Sequence, residues 1–267
     1  MQSSLVFLGS GGDAVVVGKQ LRGSGGMVLR VDDFQIHIDP GPGSLLQAAM
    51  QGINVRENTA VLVTHAHLNH CNDINAMLSA MTYNGLDNKG VLVANETLVN
   101  DPAPYLTDYH RKFVEKIIVP SARQKIGIED IEIHALKAEH TDPHALGFRI
   151  FTPNFIIAYS GDTGYTDEIA EQYEQSDIVI LNTVHPFGTK AKDNLSCDDA
   201  ITIIEKTKPK LAIITHFGSK LLQADPLYEA REIQKRTNVM VMAAKEGMKI
   251  SPQNYAATIR QQKLNSY

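Results

Sequence analysis

The chain has 267 residues with a formal net charge of −5, and 21% of its residues are charged. That length can bury a full hydrophobic core, and the ordinary share of charge argues against a disordered chain. The negative balance argues against a surface that neutralises the phosphates of an extended nucleic-acid duplex.

The cysteine content and the hydropathy favour a cytoplasmic protein. Cys71 and Cys197 are the two cysteines, which are too few for a disulfide framework and lack C-x-x-C spacing. No secretory apolar segment opens the sequence, and no run approaches the roughly 18 apolar residues that span a bilayer. No repeat, linker or low-complexity tract divides the chain, so we expect one domain over residues 1–267.

Short β-rich runs separated by glycine clusters occupy the first third of the chain. Hydrophobic patterning predicts strands at Leu5 to Leu8, Val15 to Val17, Met27 to Val31, Gln35 to Asp39 and Ala60 to Thr64. Helices are predicted at Ser44 to Met50 and from about Asn72 to Met81. The cluster Gly9 to Gly12 follows a strand but completes no G-x-G-x-x-G motif, so we predict no nucleotide cofactor there.

The rest of the chain alternates strands and helices. Strands are predicted at Val91 to Ala94, Ile117 to Val119, Ile131 to Leu136, Leu146 to Phe151, Phe155 to Tyr159, Ile178 to Leu181, Leu211 to Thr215 and Val239 to Met242. Helices are predicted around Glu168 to Gln175, Cys197 to Lys206 and Pro226 to Arg236. This order predicts an α/β fold in which two mixed sheets carry outer helices.

Three histidines, His65, His67 and His70, fall within six residues directly after the apolar strand Ala60 to Thr64. Neutral imidazole is the commonest metal ligand in proteins, and histidines at i and i+2 of an extended turn can converge on one ion. A third histidine at i+5 can face a neighbouring ion. Packing alone does not account for three clustered imidazoles, so we predict a metal site here.

The cluster resembles the H-x-H-x-D-H signature of the metallo-β-lactamase superfamily, which continues with a distant histidine, a bridging aspartate and a final histidine. The matching positions are His140, Asp162 and His216, each of which follows a predicted strand. The resemblance implies an αββα four-layer sandwich. It also implies a first metal on His65, His67 and His140, a second on His70 and His216, and Asp162 as the bridge.

The opening Phe7 to Gly12 and the segment Ile38 to Gly41 look like the ribonuclease Z and cyclic-phosphodiesterase branch of that superfamily. By this likeness Asp39 would support the site from behind the ligands. Two positions depart from the branch pattern, because Asn69 replaces the signature aspartate and Asn194 replaces a histidine before Leu-Ser. An amide carries no charge and is not a general base near neutral pH.

Three nearby residues have roles that the sequence leaves open. His185 could act as the missing proton donor or be a plain loop residue, and His144 has a weaker case. A Cys71 thiolate could offset the lost aspartate charge, although its position at a helix start favours burial. His37, His110 and His134 have no motif context.

The leading prediction is a metal-dependent hydrolase that acts on a phosphodiester or another small ester through metal-bound hydroxide. It uses two divalent ions, with zinc favoured over manganese or iron, and Asn69, His185 and Asn194 are its candidate catalytic residues. The expected partner is a small-molecule or short nucleotide substrate, and a homodimer is allowed. The alternatives are a catalytically impaired metal-containing binding protein and an iron-dependent redox enzyme on the same fold.

Overall fold

The computed structural model describes residues 3–102 and 104–256, and two β-sheets form its centre. The strands of the first sheet are β1 (Ser3–Gly9), β2 (Ser24–Val31), β3 (Phe34–Ile38), β4 (Asn58–Val63), β5 (Val91–Ala94) and β6 (Lys116–Ile118). Those of the second are β7 (Lys125–Ile128), β8 (Ile131–Lys137), β9 (Leu146–Phe151), β10 (Ile156–Tyr159), β11 (Ile178–His185), β12 (Leu195–Ser196), β13 (Leu211–Thr215) and β14 (Val241–Ala243). The last strand, β15 (Lys249–Ile250), returns to the first sheet beside β1.

The helices connect these strands along the outer faces of the sheets. They are α1 (Ala14–Gly18), α2 (Ser44–Met50), α3 (Leu68–Cys71), α4 (Ile74–Thr82), α5 (Glu96–Asn100), α6 (Asp167–Glu171), α7 (Cys197–Thr207), α8 (Ser219–Gln223) and α9 (Pro226–Thr237). Short 3₁₀ turns occur at Val55–Glu57, His110–Phe113 and Pro252–Tyr255.

The strand order explains the division of the chain into layers. The first sheet runs β15-β1-β2-β3-β4-β5-β6 and the second runs β14-β13-β11-β10-β9-β8-β7, with β12 added beside β11. In the first sheet β1 to β3 pair antiparallel and β3 to β6 pair parallel. In the second, β7 to β10 pair antiparallel and the pairs from β10 through β11 and β13 to β14 are parallel, so both sheets are mixed. The parallel strands are joined through helices, which is the connection that parallel pairing requires.

One apolar cluster fills the space between the two sheets, and others lie under the helices. Side chains such as Phe7, Leu62, Phe148 and Ile213 meet in the central layer. On the outer face of the first sheet α4 and α5 cover alternate strand residues, and on that of the second α6, α7 and α9 do the same. The four layers are therefore helix, sheet, sheet and helix, which confirms the expected αββα sandwich.

Most predicted elements are present, and the exceptions have local causes. The prediction of a strand at Val15 to Val17 was wrong, because Asp13 caps the backbone N–H of Val16 and begins the short helix α1. β7, β12 and β15 were not predicted, since each has four residues or fewer and depends on a distant partner for its pairing.

The single-domain prediction covers residues 1–267, of which residues 1–2, 103 and 257–267 lie outside the described ranges. Within residues 3–102 and 104–256, no helix combines the length and apolar character that a membrane crossing requires. Cys71 and Cys197 are both buried free thiols.

Candidate metal centre

The six residues predicted as ligands lie together where strands of both sheets end. His65 and His67 follow β4, His70 lies in α3, His140 follows β8, Asp162 follows β10 and His216 follows β13. Their ligand atoms form two groups, and within each group the atoms lie within 4.8 Å of one another. The folded sheets therefore bring together six residues from separate parts of the sequence.

The first group contains three histidines and one carboxylate. His67 Nδ1 lies 3.0 Å from His65 Nε2 and 3.1 Å from His140 Nε2. Asp162 Oδ2 lies 3.8 Å from the Nε2 atoms of both His65 and His140. Three imidazole nitrogens and a carboxylate oxygen form the donor set of a tetrahedral zinc site.

The second group shares the same carboxylate oxygen. Asp162 Oδ2 lies 3.1 Å from His216 Nε2 and 3.4 Å from His70 Nε2, and these two nitrogens are 3.4 Å apart. Asp162 Oδ2 is thus common to both groups, which is the arrangement of a carboxylate that bridges two ions.

Hydrogen bonds behind two of the ligands determine which ring nitrogen carries the proton. His140 Nδ1 lies 2.7 Å from the carbonyl oxygen of Asp193, which can only accept, so Nδ1 donates. His70 Nδ1 lies 2.9 Å from Asp39 Oδ2 and donates to that carboxylate. Both rings therefore present an unprotonated Nε2 to the ligand groups in their neutral form, as metal-bound histidines do.

A hydrogen bond to Thr64 determines which ring nitrogen of His65 carries the proton. The Thr64 hydroxyl has one hydrogen, and it lies 2.9 Å from Asp39 Oδ2, to which it donates. Its oxygen must then accept from His65 Nδ1, 3.0 Å away, which leaves His65 Nε2 unprotonated. The unprotonated Nε2 atoms of His65, His70 and His140 face Asp162 Oδ2 at 3.8, 3.4 and 3.8 Å. Acceptors that face one another in this way repel unless a cation lies between them, so the donor set fits divalent ions.

The charges of the buried site support this fit. Burial, together with the nearby His70, holds the pKa of His65 well below its usual range, and burial also lowers the pKa of His67. Although burial opposes the shift, the carboxylates of Asp162 and Asp39 raise the pKa of His70 to about 10. The two carboxylates thus favour a positive charge at the second group, and a metal ion would supply it.

The backbone at the site adopts conformations that side chains rarely take. His216 has φ +63° and Asp39 has φ +54°, both in the left-handed region. Such strain persists where surrounding structure enforces it, and it is concentrated at functional sites. Here Phe217 pairs with Ser10 and Gly12, which holds the turn that contains His216.

The N-terminal glycine cluster is part of this centre. A Cβ on Gly12 would lie 2.2 Å from the carbonyl oxygen of His216, so a side chain does not fit there. The Glu246 carboxylate accepts from the backbone and hydroxyl of Ser10 and from the backbone of Gly23, and it fixes the same loop. The glycine cluster Gly9 to Gly12 therefore packs against the second ligand group.

Asn69 points at the second group but is anchored as a hydrogen-bond donor. Its Nδ2 donates to the carbonyl oxygen of Gly12 at 2.9 Å and lies 3.2 Å from His216 Nε2. Because that carbonyl can only accept, the amide nitrogen and not the amide oxygen occupies this place. Asn69 therefore adds an N–H group beside the second group rather than a ligand oxygen.

The other two candidate catalytic residues lie at the two ends of the segment that connects β11 to β12. His185 is half-buried at the end of β11, where burial lowers its pKa and Asp193 and Lys220 are nearby charges. Asn194 follows Asp193, whose carbonyl oxygen orients His140. The loop packs closely on the segment after Asp162, since a Cβ on Gly164 would lie 1.8 Å from the carbonyl oxygen of Lys192.

Sequence analysis missed two residues that orient the ligands. The buried carboxylate of Asp142 accepts from the backbone N–H of Ala66 at 3.0 Å and from Asn95 and Thr97, which holds the turn between His65 and His67. Asn182 donates to Asp162 Oδ1 at 2.7 Å. The signal available for Asp142 was its position two residues after His140, and Asn182 had none beyond its place in an apolar strand.

The remaining cysteine and histidine candidates belong to neither ligand group. Cys71 is fully buried among the apolar side chains of α4, and burial raises the pKa of its thiol to about 12. His144 is exposed. His37 is buried against the carbonyl oxygen of Gly25.

A model of the β-lactamase superfamily domain matches residues 35–217, a range that contains all six predicted ligands. The chain belongs to the β-lactamase superfamily. The predicted resemblance to the metallo-β-lactamase superfamily is thereby confirmed.

Relatives of this superfamily member extend over nearly its whole length. A protein of Methanocaldococcus jannaschii is 28% identical over 255 residues, which cover 94% of this chain and 95% of that protein. A ribonuclease Z of Sulfolobus acidocaldarius is 20% identical, with 87% of this chain and 94% of that protein covered. The ribonuclease Z relative supports the branch that the N-terminal motifs predict.

Two solved structures show the same fold. The metallo-β-lactamase fold protein YhfI of Bacillus subtilis superposes with a TM-score of 0.79 at 16% identity, covering 94% of this chain and 99% of that one. A diphosphatase of the PhnP family superposes with a TM-score of 0.71 at 21% identity, covering 94% and 98%. At these identities the likeness concerns the fold.

Proposed function

We propose that this β-lactamase superfamily member is a metal-dependent phosphodiesterase that hydrolyses a small or short nucleotide phosphodiester. The observation that carries the proposal is the pair of ligand groups that share Asp162 Oδ2. Two divalent ions held by these groups would supply Lewis-acid chemistry that activates water and stabilises both the entering and the leaving oxygen. A single structural ion would not call for this shared carboxylate.

The ligand side chains are held so that little reorganisation accompanies ion binding. His65, His70 and His140 each donate a hydrogen bond from Nδ1 to an oxygen of the protein. Such outer partners fix ring orientation and increase ligand basicity. Asn182 binds Asp162 Oδ1, so that Oδ2 alone serves both groups.

Zinc is the favoured ion, with manganese or iron as alternatives. The ligands are five imidazoles and one carboxylate, and nitrogen-rich sets of this kind suit zinc. The buried Cys71 thiol adds no soft ligand, because it packs in the apolar cluster under α4 and belongs to neither ligand group.

The rim of the site supports an anionic substrate. The loop between β11 and β12 carries the exposed side chains of Lys190 and Lys192, and the exposed Lys220 lies near His185. These three lysines place positive charge here, although the chain as a whole has a net charge of −5. The names of two relatives, ribonuclease Z and diphosphatase, also concern phosphate chemistry.

The amides of the site bind and orient, because an amide cannot act as a base near neutral pH. Asn69 presents its N–H beside the second group, where it donates to an oxygen of the substrate. Asn194 lies in the loop over the first group and contacts the same phosphate. His185 has the proton-transfer chemistry that both amides lack and serves as proton donor to the leaving group.

The test is metal content per chain by elemental mass spectrometry, followed by hydrolysis of bis(p-nitrophenyl) phosphate. The proposal expects about two zinc ions per chain and metal-dependent turnover, both lost in His65→Ala. His134→Ala is the matched control, because His134 lies on β8 with Glu132 as its partner, outside the ligand groups. Two ions without turnover would favour the impaired binding protein, and bound iron with oxygen consumption would favour the redox enzyme.

A further inference from the structure

A small cavity adjoins the second ligand group. It has a volume of about 20 Å³, and its polar lining includes Ser24, Asp39, Tyr159, Asn182 and Thr215. His70 and His216 line the same cavity, together with Phe7 and Met27 of the central apolar layer. One water molecule needs about 10–15 Å³ of such space.

Two of the residues that line this cavity each have a buried polar atom without a protein partner. Within residues 3–102 and 104–256, Asn182 Oδ1 and Ser24 Oγ are buried side-chain atoms without a hydrogen bond. Asn182 is 1% exposed and Ser24 is 6% exposed. Buried polar groups are almost always paired, with protein or with ordered water, so two such atoms on one cavity require an explanation.

The orientation of the Asn182 amide follows from its other contacts. Its Nδ2 lies 2.7 Å from Asp162 Oδ1 and 3.1 Å from the hydroxyl oxygen of Tyr159. The Tyr159 hydroxyl donates its own hydrogen to Asp39 Oδ2 at 2.8 Å, so its oxygen must accept. Turning the amide over would place two acceptors against Asn182 Oδ1, and Oδ1 is therefore the atom left without a partner.

We propose that the cavity is a site for one ordered internal water, which donates to Asn182 Oδ1 and pairs with Ser24 Oγ. The cavity has the volume for one water, and the two atoms supply an acceptor and a hydroxyl. Thr215, also on the wall, offers a third polar group. Three partners are the usual number for a buried water.

This water makes Asn182 a positioning residue for the metal centre. Pairing at Oδ1 holds the carboxamide so that both of its N–H groups stay on Asp162 and Tyr159. The amide thereby links Asp162 to Asp39, the two carboxylates that contact the ligand histidines. The inference concerns the supporting shell and does not depend on the phosphodiesterase activity.

The first test is a crystal structure of the metal-free protein at 1.5 Å or better. We expect one density peak within hydrogen-bonding distance of both Asn182 Oδ1 and Ser24 Oγ. No peak, or a peak with the short, regular contacts of a metal ion, would overturn the proposal. Because the crystal lacks metal, this result is separate from the outcome of the hydrolysis assay.

The second test is the sign of a melting-temperature change in Ser24→Ala. If the hydroxyl binds a water, its removal weakens that water and lowers the melting temperature. If the hydroxyl has no partner, its removal relieves a desolvation penalty and raises the melting temperature. Ser3→Ala is the matched control, because Ser3 Oγ is also buried without a partner on β1 but does not line the cavity.

The third measurement is zinc affinity. Loss of a direct partner of a ligand typically weakens metal binding by about 10- to 100-fold. Ser24 acts one step further away, through the water and Asn182, so we expect Ser24→Ala to weaken zinc binding at the second ligand group by about tenfold at most. Ser3→Ala should bind zinc as the wild type does. A Ser24→Ala protein that melts higher and binds zinc unchanged would show that the cavity water does not exist.

Discussion

Replacing Asn69 by aspartate restores the residue type of the family signature, yet this structure predicts that it destabilises the metal-free protein. The Asn69 Nδ2 group donates to the buried carbonyl oxygen of Gly12 at 2.9 Å. A carboxylate cannot donate, so the substitution removes a hydrogen bond of about 1 kcal/mol and places two acceptors in contact, for a total of about 2 kcal/mol. For a chain of this size that corresponds to a melting temperature about 4–8 °C lower.

The assay is thermal unfolding of Asn69→Asp in the presence of a chelator and again with zinc. With zinc the deficit should shrink, because the new carboxylate faces a cation at the second group. Asn88→Asp is the matched control, since Asn88 Nδ2 also donates to a backbone carbonyl, that of Lys112, but is exposed. An Asn69→Asp protein that melts at or above the wild type without metal would refute the reasoning.

The Asn69→Asp variant also distinguishes two interpretations of Asn69. If Asn69 marks decay from an active ancestor, the aspartate should increase phosphodiester hydrolysis. If the Asn69 N–H binds substrate in a specialised enzyme, as we propose, hydrolysis should fall even when two zinc ions are bound. Metal content must be measured on the same sample, so that loss of activity is not confused with loss of zinc.

The surroundings of Gly12, Asp39 and His37 predict the effects of three other substitutions. Gly12→Ala should reduce zinc from about two to about one per chain in elemental analysis, because its Cβ meets the His216 carbonyl, whereas Gly18→Ala, with open space around it, should keep both. Asp39→Asn should weaken zinc binding by about 10- to 100-fold in competition titrations, and a change below about twofold would contradict the role of this carboxylate. Burial lowers the pKa of His37 to about 4, so the unfolded chain binds this proton first as pH falls below about 6.5. Between pH 7 and pH 4 the wild type should therefore lose about 3 kcal/mol more unfolding free energy than His37→Gln in urea titrations, and parallel curves would contradict this.

Several features of the protein follow from local sequence. The apolar run before His65 predicts a strand, and the histidine spacing predicts that the ligands lie at its end. The helix that begins after Ser196 can also be predicted from local sequence, because its capping box and its amphipathic pattern lie within a few residues of one another. Strand ends, caps and ligand spacing are determined by neighbours in the chain.

Other features depend on partners far away in sequence. Asn69 meets Gly12 across 57 residues, and Asn182 of β11 meets Asp162, which follows the neighbouring strand β10, across 20 residues. The sequence alone shows an amide in place of an acid at Asn69, and only the folded structure shows that a carbonyl oxygen requires the amide. Hydrogen-bond direction is a property of two groups in contact, so no pattern in one segment can determine it.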